Sequence, residues 1–114
     1  MTTPPVLDDV IARRTLRLID PTGTVAPIDL SFARPVPADG GDSYVCRFQV
    51  KGFGSDAVVE AMGADAVQAL LLAFQVAGVR FQGTPPGTRV EWLEGLSDLG
   101  LPARIEYVEC PSTP

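Results

Sequence analysis

Residues 44–51 alternate more cleanly than any other part of the chain, with Tyr44, Cys46, Phe48 and Val50 on one face and Val45, Arg47, Gln49 and Lys51 on the other. A two-residue period of this kind marks a half-buried strand. Residues 10–20 carry a similar pattern, placing Ala12, Leu16 and Leu18 opposite Arg13, Thr15 and Arg17. The stretch Asp20-Pro-Thr-Gly23 that follows has turn chemistry, since proline presets the second turn position and glycine tolerates a positive φ. Across this turn Ala26, Ile28, Leu30 and Phe32 share a face, which predicts a hairpin, and Pro27 places the second strand at an edge or starts it late. Residues 34–42 hold two prolines and two glycines and read as a loop. Residues 52–56 read as a turn, and residues 57–62 as a fourth short strand.

The period then changes. Residues 65–77 predict a helix of about three turns that is apolar nearly all the way round, interrupted only by Gln68 and Gln75. Asp65 stands at the N-cap position with Gln68 three residues later, a capping box. Gly78 stands where a left-handed C-cap belongs, with Val79, Arg80 and Phe81 leading away. After a loop over 82–89, Val90, Trp92, Leu93, Leu96, Leu99 and Leu101 supply apolar contacts without a period. Ala103, Ile105 and Tyr107 alternate with Arg104 and Glu106, which predicts a last short strand.

These elements predict an α+β fold: an antiparallel sheet of about four strands with one long helix packed on one face. An apolar helix needs cover on two sides, and the Trp92 segment is the candidate for the outer one. The expected inward set is Leu16, Leu18, Ile28, Leu30, Phe32, Tyr44, Cys46, Phe48, Val50, Leu70, Leu71, Phe74 and Trp92. Residues 1–9 read as a disordered lead-in, 10–110 as a single domain and 111–114 as a flexible tail.

Composition narrows the class. A chain of 114 residues has the size of one domain, which buries roughly two thirds of its unfolded surface. An apolar fraction of 46% against 20% charged residues lies on the globular side of disorder. The apolar runs are too short to span a bilayer and the N-terminus does not read as a signal peptide, so the expected location is the cytoplasm. Residues 1–55 carry six acids and six bases, whereas residues 56–114 carry eight acids and three bases, which accounts for the net charge of −5. That imbalance argues against a nucleic-acid ligand and favours a basic protein partner.

The chemistry is sparse. There is no histidine, and Cys46 and Cys110 are too few and too isolated for a disulfide framework or a zinc site. Cys46 reads as a core thiol without an activating base. Gly52, Gly54 and Ala57 match the G-x-G-x-x-G/A spacing of dinucleotide folds, but the preceding strand is amphipathic and Gly63 interrupts any long following helix. Glu91 and Glu94 would be neighbours on a helix and could act as a carboxylate pair, although a solvated surface is the simpler reading. Arg13, Arg14 and Arg17 form a basic cluster, and Arg47 and Lys51 extend its face if their strands are adjacent.

Three fragments, residues 45–52, 63–73 and 90–93, resemble a family of small bacterial domains of unknown function. The resemblance spans most of the expected fold and implies no catalytic residues. In size and charge the chain is also similar to acidic immunity proteins that block toxins. The expectation is therefore a protein-interaction module without enzymatic activity or cofactor, immunity-like or regulatory, that binds a protein partner or a second copy of itself as a homodimer. Its candidate partner-binding residues are Gln68, Leu72, Gln75, Glu91, Trp92 and Glu94. A small-ligand or enzymatic module holding an anion through Arg13, Arg17 or Arg47, and a structural subunit of a bacterial assembly, are the alternatives.

Overall fold

The computed structural model describes residues 6–102. In chain order it contains β1 (Val10–Ile19), β2 (Val25–Ala33), β3 (Val36–Pro37), β4 (Tyr44–Lys51), β5 (Val58–Gly63), α1 (Ala66–Arg80) and β6 (Arg89–Glu91). All six strands join one antiparallel sheet. β5 pairs with β4 along Tyr44 to Gln49, a span that includes the positions paired with β3 and two of those paired with β2. β2 and β3 must therefore occupy the opposite edge of β4 from β5. The sheet thus runs from β5 through β4, then β2 with β3 in line behind it, then β1, to β6.

Two expectations are corrected here. The sheet has six strands rather than about four, and the single helix is a short one of 15 residues rather than a long element. The architecture is mostly β, with one helix laid on the sheet. The missed strands have two and three residues, too few to display a period. β3 lies inside the proline-bearing loop, where Val36 pairs with Val45 and Pro37 with Tyr44. β6 begins at Arg89 and pairs with the far end of β1 through Arg17, Leu18 and Ile19.

Pro27 sits in an inner strand without disturbing it. It pairs with Arg17 of β1, while the β2–β4 ladder begins only at Asp29. On that side Gly52 turns past it, so close that a Cβ on Gly52 would stand 2.6 Å from the Pro27 carbonyl oxygen. The proline nitrogen faces no strand, so no ladder bond is lost.

α1 packs on β5 and β4. Its contact stripe is small: Ala69, Ala73 and Ala77, spaced four apart, are fully buried. Alanine lets the helix sit low, so that Leu70, Leu72, Phe74 and Val76 reach the core from its flanks. The Phe74 ring meets Phe32 edge-on at 4.6 Å between centroids. Beneath lie Leu16, Ile28, Leu30, Cys46, Phe48 and Val50, all with no exposed surface. Leu71, expected inward, is 52% exposed, because the alanine stripe rather than the bulkier leucines sets the rotation of the helix. Tyr44, Leu18 and Trp92 are half-buried.

The helix starts as its sequence predicts. Asp65 Oδ1 accepts from the Gln68 amide at 2.8 Å, and Gln68 Oε1 accepts from the Ala64 amide at 2.5 Å. It does not stop at Gly78. The last turn runs on to Arg80 and closes at Phe81 with φ −84°. Gly78 is instead a contact point: a methyl group there would collide with the Pro102 carbonyl oxygen. Among the described residues no helix is long and apolar enough to cross a membrane. The expected strand over 103–107, the tail over 111–114 and the first five residues lie outside the described residues.

Candidate functional site

The six candidate partner-binding residues fall into two separate groups. Gln68, Leu72 and Gln75 lie on α1, over β4 and β5. Glu91, Trp92 and Glu94 lie at and beyond β6, on the far side of β2 and β1. Gln68 is half-buried by its capping role and Leu72 by the core. The Gln75 Oε1 atom is enclosed without a hydrogen-bond partner. Val67 and Leu71, 67% and 52% exposed, are four residues apart, and Leu71 stands three residues from Gln68 and four from Gln75, so the four share the outer side of α1. Sequence reasoning placed Leu71 inward because of its apolarity and did not single out Val67 at all.

Glu91 and Glu94 are not a helical pair. β6 ends at Glu91, and a tight turn follows in which the Trp92 amide donates to the Leu96 carbonyl at 2.9 Å and the Leu96 amide to the Leu93 carbonyl at 2.8 Å. Glu94 is exposed, whereas Glu91 is buried and accepts from the Gly95 amide at 3.2 Å and Arg89 Nε at 3.3 Å, with Arg17 Nε at 3.8 Å. The Gly95 amide first, then Arg89 and Arg17, hold its carboxyl below the usual glutamate range despite burial. A carboxylate so occupied fixes the turn to the sheet rather than acting as a base.

Trp92 covers the sheet instead of the helix. Its ring lies under the Arg14 guanidinium at 3.8 Å, and Arg14 Nη1 donates to the Leu99 carbonyl at 2.6 Å. The outer cover assigned to the Trp92 segment therefore reaches α1 only at its end, where Leu101 and Pro102 meet Gly78. A groove of about 250 Å³ remains between Phe74, Phe32, Ala12 and Leu101.

The arginines do not converge. β2 separates β1 from β4, Arg17 pairs with Glu91, and Arg47 Nε binds Glu60 Oε2 at 2.7 Å. Cys46 is fully buried, bonds to the Ala33 carbonyl through Sγ at 3.4 Å, and has its thiol pushed above its ordinary range by burial. Among the described residues no three His, Cys, Asp or Glu side chains are placed to hold a metal ion. Gly52 and Gly54 form a turn with positive φ before a strand, not before a helix.

What these observations define is an α+β domain whose polar side chains mostly serve its own loops. The chain belongs to the family described as Domain of unknown function (DUF6968), whose model matches residues 12–103. No curated relative matches the chain, and no solved structure matches it.

Proposed function

We propose that the domain is a non-enzymatic interaction module that docks a basic protein on the outer side of α1. The observation carrying this reading is the pair of exposed apolar side chains Val67 and Leu71, one turn apart on the outer side of α1. Exposed apolar anchors spaced one turn apart suit a helix-borne docking surface. Charge selects the partner. The chain carries a net charge of −5; beside α1 the acidic side chains are Asp56 and Asp65, while Glu60 is paired with Arg47 and Glu91 with Arg89 and Arg17. Arg80 is bonded to the Ser55 carbonyl and Arg89 to Glu91. A net negative charge of this size attracts a cationic protein and repels phosphate backbones. In the cytoplasm of a bacterium this would suit an immunity-like or regulatory protein that neutralises a basic partner.

The test is a photo-crosslinking residue in place of Leu71, with a second in place of Thr22 at the β1–β2 turn as control, expressed in the native cell. The expected result is an adduct with one protein of positive net charge from position 71 and none from position 22. No adduct, equal adducts from both positions, or an adduct only with another copy of this chain would overturn the reading.

A further inference from the structure

We infer that the outer face of the sheet, opposite α1, carries a separate binding site for a small apolar acid with a hydrogen-bond donor beside its carboxylate, the chemistry of an aliphatic amino acid or 2-hydroxy acid. Strand register builds it. Arg13 pairs with Ser31 and Ser31 with Gln49, while Thr15 pairs with Asp29 and Asp29 with Lys51. Cross-strand partners share a face, so three strands present two adjacent rows of three polar side chains each.

The face is concave because the chain before β1 folds alongside it. The Arg34 amide donates to the Asp9 carbonyl at 2.9 Å and Arg34 Nη2 lies 3.4 Å from Asp9 Oδ2. Val6, Leu7 and Val10 then form an apolar wall to a cavity of about 310 Å³ that reaches Arg13 and Lys51, near the lower limit for a small-molecule site.

Commitment of the cations singles this cavity out. The described residues contain eight Lys and Arg side chains. Arg17, Arg34, Arg47 and Arg89 are in ion pairs, and Arg14 and Arg80 bind carbonyl oxygens. Among the described residues the two without such a bond are Arg13 and Lys51, and both line this cavity.

Two flexible cations at opposite corners suit one carboxylate held between them. Asp29 lies in the floor and, among the described residues, accepts only a 3.5 Å hydrogen bond from Thr15 Oγ1. A carboxylate at that point disfavours a dianion such as phosphate and favours a ligand whose ammonium or hydroxyl donates to it. The aliphatic end of the ligand then lies against Val6, Leu7 and Val10.

The experiment is an amide-resolved NMR titration of the intact chain with L-leucine, and in parallel with 4-methylpentanoate, L-leucinamide and inorganic phosphate. Leucine is expected to give saturable shifts around residues 13, 31 and 51. Arg13→Ala and Lys51→Ala, whose spectra away from this face verify the fold, should each weaken binding about tenfold or more. Asp29→Asn should weaken leucine but not 4-methylpentanoate, and leucinamide should not saturate. Absence of saturable shifts at these residues, indifference to Arg13→Ala and Lys51→Ala, or phosphate binding as tightly as leucine would overturn the proposal.

Discussion

The Arg14 guanidinium lies 3.8 Å over the centroid of the Trp92 ring and bridges β1 to the loop that follows β6. Its Nη1 also bonds the Leu99 carbonyl, so one side chain pins both ends of that loop. Arg14→Leu should therefore cost about 1–3 kcal/mol, the sum of a lost cation–π contact and an unbonded carbonyl. Trp92 is the only tryptophan, so its emission reports the site directly. The expected outcome is a red shift with a lowered urea midpoint; unchanged emission would mean that the stacking does not persist in solution.

Gly78→Ala sets two effects against each other. Alanine improves helix propensity by about 1 kcal/mol, but its methyl would collide with the Pro102 backbone oxygen, which cannot move as a flexible side chain could. The collision should win. Hydrogen exchange at residues 99–101 should accelerate while the α1 amides stay protected, and overall stability should fall; a net gain of about 1 kcal/mol would contradict the close approach.

Glu91 links stability to pH. Its carboxyl is depressed by the Gly95 amide, Arg89 and Arg17, so the stabilisation is present above the unfolded glutamate value of about 4.3 and is lost as pH falls through the lower folded value. Glu91→Gln should be less stable than the parent near pH 7, and the difference should shrink as acid protonates Glu91. Urea midpoints for both proteins at about pH 7 and pH 3 check this; a constant difference would show that the charge is not what matters.

Core and surface leucines and aromatics should separate sharply. Phe48 has no exposed surface, and Phe48→Ala should cost about 3–5 kcal/mol. Leu71 is half in solvent, and Leu71→Ala should change stability by less than about 0.5 kcal/mol. Chemical denaturation of the two variants distinguishes this rotation of α1 from the one expected from apolarity alone.

Periodicity made much of the framework legible. The alternation at Tyr44 to Val50, the hairpin around Asp20 and Gly23, and the Asp65–Gln68 cap all correspond to what folds, because each is decided by local backbone chemistry. Strand count was not legible, since Val36–Pro37 and Arg89–Glu91 are too short to show a period; the first pairs with Tyr44 and Val45 just across its loop, and the second with β1 far earlier in the chain. Helix rotation was not legible either: Ala69, Ala73 and Ala77 look unremarkable beside Leu70 and Leu71 until close packing on β5 and β4 selects the smaller residues. For the same reason the candidate surface was only half readable, with Gln68 and Gln75 noticed for their polarity, Leu71 assigned to a core that does not contain it and Val67 assigned to neither. Trp92 was recognised as an apolar anchor, but its partner Arg14 sits 78 positions earlier and carries no local signal of it.

The account depends most on which side of α1 faces solvent, and thiol labelling reads this directly. In a background where Cys110 is replaced by serine and Cys46 remains buried, Leu71→Cys and Ala73→Cys are treated with a maleimide under native conditions. Rapid labelling at position 71 with protection at position 73, followed by labelling of both in urea, is the predicted result. Protection at 71, or equal reactivity at both positions in the native protein, would contradict the docking surface proposed on the outer side of the helix.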